Sequence, residues 1–396
     1  MDRLADLLTS DPLRRTLPIG LTLFALYHLL RPTHPNWTVP NILPSPLSHV
    51  SSLPPPSLAT LPYPPTSLPG ARTLSTPYGS IRIYEFGPGD GPRILLIHGI
   101  STPCISLAGV AKELAANGYR VMLFDLFGRG YSDTPDPRTN PQNMQLWTTQ
   151  ILLALTSSEV NWTGERKFSI VGYSLGGGIA AGFAAWFPQM VEGLVLVAPS
   201  GLLRAGRIAR SSRVLYSGLV PRGLVHWLVG RRLGGGAAPT EKGAKEGNPE
   251  ATPAEAVVAE VPSGEGGEHP ALMPDSQAPL FEDRPGISVA DAVRWQLEKH
   301  EGFLPAFVSS IQHAPISEQH ESWRKIARQK DSLKGGKVLM ALGTEDGVIV
   351  RDEVEEDARE CLGADGLEVR TVEAGHDLPI VKAKEVVAHI IDFWGS

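Results

Sequence analysis

Residues 167–187 read KFSIVGYSLGGGIAAGFAAWF, and the fold turns on them. Phe168, Ile170 and Val171 form a short apolar run with β-branched members that stops at a glycine, which predicts a buried strand. Gly172-Tyr173-Ser174-Leu175-Gly176 follows. The next run is dense in Gly and Ala, carries no charge through Phe187, and predicts a buried helix. A serine on so tight a turn between strand and helix needs neighbours two before and two after it that have almost no side chain, and Gly172 and Gly176 supply them.

Such a serine sits where the first amides of a helix converge, so negative charge developing beside it in acyl transfer would meet backbone donors. Upstream, Ser80–Phe86 (SIRIYEF) alternates in polarity and predicts a half-buried strand; after a glycine turn over 87–91, Arg93–Ile97 (RILLI) predicts a buried one. It ends at His98-Gly99-Ile100. Gly99 lets the loop backbone come close to a substrate, and the Ile100 N–H would join that of Leu175 as a pair of oxyanion donors. His98 reads as a structural residue orienting this loop rather than as a base. A helical stretch from Leu107 to Asn117 and a strand over Tyr119–Leu123 lead to FDLFGRGYSD, residues 124–133. There Asp125 and Arg129 are expected to form a local ion pair in a scaffolding turn, with the Asp125 carboxylate as the second candidate for chemistry.

Downstream, Gly193–Val197 is another buried strand, and Lys337–Leu342 (KVLMAL) repeats the pattern before Gly343-Thr344-Glu345-Asp346-Gly347. Leu367–Val372 then leads to Ala374-Gly375-His376-Asp377 and an apolar-periodic final helix from Val381 to Trp394. A carboxylate after one strand and a histidine after the next are what Ser-His-acid chemistry requires in an α/β sheet. The hydroxyl is a poor nucleophile until an imidazole takes its proton, and the carboxylate fixes the imidazole's tautomer. Glu345 and Asp377 stand beside these positions as further carboxylates.

With these residues in hand, the chain over roughly residues 70–396 resembles the α/β-hydrolase fold-1 family. The resemblance rests on the His98-Gly99 strand end, FDLFGRGYSD, the GYSLG elbow, the GTEDG turn and the GHD loop. It implies Ser174 as nucleophile, Asp346 as acid, His376 as base, and the Ile100 and Leu175 amides as oxyanion donors, with His98, Gly99, Gly172, Gly176 and Asp125 in support. It also implies a mostly parallel eight-stranded sheet flanked by helices, with a helical lid inserted after the sixth strand, and neither cofactor nor metal. The serine departs from the epoxide hydrolase and haloalkane dehalogenase branches, whose nucleophile is aspartate. The DLPIV after His376 lacks the H-x-x-x-x-D of acyltransferase members, so hydrolysis of a small-molecule carboxylic ester is expected. An amidase, thioesterase or carbon–carbon bond hydrolase would use the same residues, and a silent binding protein on this fold would not need all three.

The 396 residues suffice for one large α/β domain with insertions. A net charge of −6 gives no reason to expect a nucleic-acid partner. Two cysteines, Cys104 and Cys361, exclude a disulfide framework. Leu17–Leu30 (LPIGLTLFALYHLL) is an uncharged run bounded by Arg14-Arg15 and Arg31; short for a bilayer span, it predicts within residues 1–31 a membrane anchor, lying in the interface or spanning a thinned bilayer, the alternative being a helix capping the globular domain of a cytoplasmic protein. Residues 32–69 hold twelve prolines and predict a linker, either an extended tether or a surface wrap, before a core at 70–199 and 331–396.

Residues 200–330 interrupt the strand pattern and predict the lid. Between 193 and 240 there is no Asp or Glu, whereas residues 241–283 hold ten acids against two lysines. Rich in Gly and Pro and without aromatics between Leu228 and Leu280, the acidic part predicts a disordered loop over 234–280. The plain reading of the split is solvated charge; the sharper hypothesis is that the basic part, with Arg204, Arg207, Arg210 and Arg213 at every third position, faces anionic lipid headgroups, with the acidic loop competing for the same arginines.

Overall fold

The computed structural model describes residues 22, 24–27, 41–204, 206, 210–233 and 278–395. The chain divides into two units, Met1–Val39 and Pro40–Ser396. In the first, Thr22 and Phe24–Tyr27 are helical, with Phe24, Leu26 and Tyr27 exposed. Among the described residues no helix is long and apolar enough to cross a membrane. The remainder of the expected anchor, the Pro-rich stretch up to residue 40 and residues 234–277 of the acidic loop lie outside the described residues.

The second unit is built on eight strands: β1 Ala71–Thr76, β2 Gly79–Phe86, β3 Arg93–Ile97, β4 Arg120–Phe124, β5 Phe168–Tyr173, β6 Val191–Val197, β7 Val338–Gly343 and β8 Leu367–Val372. They lie in the order β8-β7-β6-β5-β3-β4-β2-β1. The β1–β2 and β2–β4 pairs are antiparallel and every other pair is parallel. Every residue of β3, β5 and β7 is buried, as expected for central strands covered by helices on both faces. At the edge, β1 alternates between exposed and half-buried positions. Helices α1 (Ala108–Ala116), α2 (Met144–Thr156), α3 (Leu175–Trp186) and α9 (Arg351–Leu362) flank the sheet, with α10 (Leu378–Val381) and α11 (Ala383–Gly395) at the end. The expected final helix from Val381 to Trp394 starts two residues later, at Ala383, set off from the one-turn α10 by the non-helical Lys382.

The order reverses between β3 and β5. From β3 the chain steps outward to β4; from β5 it steps the other way through β6, β7 and β8. In open parallel sheets that switch point opens a crevice at the carboxyl ends of the strands. Here it sets the loop after β3 beside the turn after β5.

Between β6 and β7 runs a helical insertion. Its described helices are α4 (Arg210–Leu215), α5 (Arg222–Leu233), α6 (Val289–Lys299) and α7 (Phe303–His313). Helix α8 (His320–Arg328), within the expected lid, instead packs on α3 and α9, so it belongs with the sheet-flanking layer. Residues 278–280 of the expected loop are ordered against the body: Ala278 and Leu280 are buried and Pro279 bridges to Ser288.

Residues 41–69 are no tether. Ile42–Leu43 pairs antiparallel with Thr134–Pro135, and Val50, Tyr63 and Leu68 are buried. Prolines remove backbone donors but not apolar side chains, so a proline-rich wrap can still be held by the residues between them. Tyr63 is the deepest of these, fully buried among Tyr84, Tyr131 and Trp295.

Candidate active site

Ser174 stands at the junction of β5 and α3 with φ 53° and ψ −120°, a conformation strongly disfavoured for a residue with a side chain. The surroundings hold it there. Its amide donates to the Val197 carbonyl at 3.0 Å, and its own carbonyl accepts from Gly177 and Ser200 at 2.8 and 3.0 Å. A side chain on Gly176 would overlap the carbonyl of Ile97, and one on Gly172 that of Gly176, so only glycine fits on either side of the turn.

Two further loops reach the serine. Beyond the ends of β7 and β8, Thr344 donates to the Val372 carbonyl at 2.9 Å and Glu345 to the Ala374 carbonyl at 3.1 Å. This pairing carries Asp346 and His376 to the same height. Asp346 Oδ1 accepts from the Val348 and Ile349 amides, both at 2.8 Å, and its Oδ2 lies 2.9 Å from His376 Nδ1. His376 Nε2 lies 3.0 Å from Ser174 Oγ. With Nδ1–H donating to the Asp346 carboxylate, the lone pair of Nε2 faces the hydroxyl, the tautomer a general base needs. The neighbouring acids stand apart: Glu345 is exposed, and Asp377 accepts from the Tyr173 hydroxyl at 3.0 Å. Tyr173 also lies against the His376 ring, centroids 5.4 Å apart; nothing in its sequence context singled it out.

The loop after β3 passes so close to the elbow that a Cβ on Gly99 would lie 3.3 Å from that of Ser174. Among the described residues neither the Ile100 nor the Leu175 amide donates a hydrogen bond. Three consecutive carbonyls of this loop are each held by a different side chain. His98 Nδ1 binds the Gly99 carbonyl at 2.8 Å, Arg129 Nε the Ile100 carbonyl at 2.9 Å and Gln296 Nε2 the Ser101 carbonyl at 2.9 Å. The Gly99 carbonyl and the Ile100 N–H belong to one peptide plane, so His98 sets the direction of that amide. His98 Nε2 accepts from Leu126 N at 2.9 Å, which requires a neutral ring, and burial first and Arg129 second push its pKa down to about 3.

Asp125 and Arg129 do not form the expected ion pair. Both are fully buried, but the turn sends them in different directions. Asp125 accepts from Cys104 N at 3.0 Å, Tyr131 N at 2.9 Å and the Tyr63 hydroxyl at 3.1 Å, so it ties the far end of the loop after β3 to the wrap. Arg129 donates to the carbonyls of Ile100 and Phe127 and to Ser310 Oγ of α7 at 2.7 Å. Burial without a carboxylate pulls its pKa down to about 9, while burial raises that of Asp125. The pairing rule missed this because a buried guanidinium can be satisfied by carbonyls that no sequence motif marks. Both cysteines are free and buried.

A mainly parallel, helix-flanked sheet with a serine elbow at its switch point defines the class: the chain is an α/β-hydrolase-fold protein. A family model described as serine aminopeptidase, S33 matches residues 92–248. An uncharacterized protein of Mycobacterium tuberculosis is 35% identical over 136 residues, 34% of this chain and 37% of the relative. The human serine hydrolase-like protein is 30% identical over 124 residues, 31% of this chain and 58% of its own length. The chain thus spans about 37% of the length of the mycobacterial relative. Among solved structures, a hydrolase from Pseudomonas aeruginosa superposes with a TM-score of 0.53 at 17% identity, covering 82% of this chain and 98% of that one. The enol-lactonase from Burkholderia xenovorans superposes at 0.52 with 14% identity, over 82% and 100%.

Proposed function

We propose that the protein is a serine hydrolase that cleaves a carboxylic ester of apolar, lipid-like character through an acyl-enzyme on Ser174. The observation that carries this reading is the unbroken relay from Ser174 Oγ through His376 to Asp346, at 3.0 and 2.9 Å. In the first half-reaction His376 takes the proton as Ser174 Oγ attacks the ester carbonyl. The oxyanion is met by the Ile100 and Leu175 amides, and the protonated imidazole then returns the proton to the departing alcohol. Water then attacks the acyl carbonyl while His376 takes its proton; the bond to Ser174 Oγ breaks, the imidazole returns the proton to that oxygen, and the acid is released. Fluorophosphonate labelling of the wild type but not of Ser174→Ala, together with a screen over short and long acyl esters, tests it. Ester turnover in Ser174→Ala equal to the wild type would exclude the serine as nucleophile.

The apolar substrate class rests on the insertion, which in this reading acts as the lid. Val214, Leu219, Leu224 and Trp227 of its outer part are exposed, Leu219 at 69% and Trp227 at 57%. They stand in a stretch that holds arginines and no acid, a composition suited to an anionic lipid surface. Arg204 is not part of that surface: it donates to Asp357 and Glu356 on α9. Binding of the full chain to phosphatidylserine vesicles at low and high salt, with Leu219→Ser/Trp227→Ser as control, tests the surface. Equal binding by the variant would remove it.

A further inference from the structure

The helical insertion reaches the oxyanion loop by two hydrogen-bonded routes. Gln296, fully buried on α6, donates from Nε2 to the Ser101 carbonyl at 2.9 Å and accepts at Oε1 from the Gly130 amide at 2.9 Å. It therefore spans two loops of the sheet, the one after β3 and the one after β4. Ser310, buried on α7, accepts at Oγ from Arg129, whose Nε holds the neighbouring Ile100 carbonyl. The loop that offers the Ile100 amide is thus fixed on one side by the sheet's own His98 and Asp125, and on the other by residues about 170 to 200 positions further along the chain. A buried amide side chain with both ends engaged is costly to displace, since each broken bond would leave a desolvated polar group behind.

We propose that Gln296 is a positioning residue for the oxyanion amide, and that through it the inner helices α6 and α7 form a fixed part of the catalytic frame rather than a flap that swings clear of it. The inference rests on the proposed serine-hydrolase reading. Removing Gln296 leaves Ser174, His376 and Asp346 untouched. What changes is the aim of the Ile100 N–H at an oxygen that carries its full charge only in the transition state. Loss of a whole oxyanion donor costs on the order of 10²–10³ in kcat, so a donor that stays present but wanders should cost about tenfold. Substrate binding in the ground state should hardly move.

The test is steady-state hydrolysis of a p-nitrophenyl ester, and the second-order rate of fluorophosphonate labelling, by full-length wild type, Gln296→Met, Gln296→Glu and Ser310→Ala. Gln296→Met removes both hydrogen bonds at nearly constant volume; Gln296→Glu keeps the acceptor for Gly130 and removes the donor to Ser101. The expected result is a drop of about tenfold in kcat and in labelling rate for both Gln296 variants, with KM within about twofold and an unshifted pH profile, because the base is unaltered. A smaller loss of the same pattern is expected for Ser310→Ala, and it carries the test if Gln296→Met fails to fold. Labelling of Ser174 at the wild-type rate in the folded Gln296 variants, or losses in kcat and KM together that follow a fall in Tm, overturns the proposal while leaving the hydrolase reading intact. A wild type that is neither labelled nor active would instead overturn the hydrolase reading itself, and with it this inference.

Discussion

The turn after β5 and the loop after β3 perform related tasks by opposite means. At the elbow, five consecutive residues suffice: two glycines clear the space and the peptide groups of β6 and α3 complete the hydrogen bonding. At the loop after β3 the backbone is ordinary, and its geometry is held by its own His98 and, from further away, by side chains from the turn after β4 and from the insertion. A locally specified turn is robust to changes elsewhere and intolerant of change in itself. A remotely specified loop has the reverse sensitivity.

Apart from Ser174→Ala, where a loss of about 10⁶ in kcat is expected if the serine is the nucleophile, the strongest test of this contrast lies at the elbow. Gly176→Ala places a methyl on the Ile97 carbonyl and should destabilise the protein by about 3 kcal/mol or more in urea unfolding. A change below about 1 kcal/mol would mean that the elbow is looser than described.

Acid should act on the remote scaffold. His98 and His300 are both buried neutral; His300 Nε2 binds the Ser132 carbonyl at 2.9 Å while its Nδ1 accepts from Gly302. Burial lowers their pKa values to about 3 and about 4. Between the unfolded-state value of about 6.5 and these folded values, the unfolded chain binds protons that the native one refuses, so stability falls as pH falls. Each histidine contributes up to about 1.4 kcal/mol per pH unit there and nothing further above about pH 7. Urea midpoints from pH 7 to 4.5 check the slope, which should shrink in His300→Gln.

A smaller effect is expected at Arg129. Arg129→Met removes a desolvated cation along with its hydrogen bonds, so kcat should fall about tenfold while stability changes by less than about 2 kcal/mol. A stability loss with unchanged kcat would assign Arg129 to packing alone. Least of all, Arg204→Ala breaks an ion-pair cluster with the buried Asp357 and the exposed Glu356 and should cost about 1 kcal/mol, decreasing with added salt.

The same contrast explains what was legible in the sequence. Apolar runs marked β3, β5, β7 and most of β6 because strands buried on both faces carry no polar punctuation, whereas the edge strand β8 carries Glu368, Arg370 and Thr371. Ser174 was visible because its neighbours had to be glycine, and the Asp346 and His376 positions because each follows a strand in a glycine-containing loop. Gln296 and Ser310 were invisible: a glutamine in one amphipathic helix and a serine in the next look like any others until the fold lays them on a loop from another part of the chain. The Asp125–Arg129 pairing failed for a related reason, since nearness in sequence does not decide which way two buried side chains point on a tight turn. The proline-rich wrap was half legible; prolines announced an irregular path, but not that Tyr63 would be swallowed by the core.

That buried tyrosine has a consequence for the order of assembly. Its hydroxyl reaches Asp125 and its ring meets Trp295, while the nearby Leu61 carbonyl accepts from Arg284 across 223 residues of chain. A segment synthesised early must wait, unpaired, for partners that leave the ribosome much later, and such long-range closures are slow. The wrap is therefore a late-closing seam, and a chain shortened to start at residue 70 would leave the Asp125 carboxylate facing a hole where a phenol belongs.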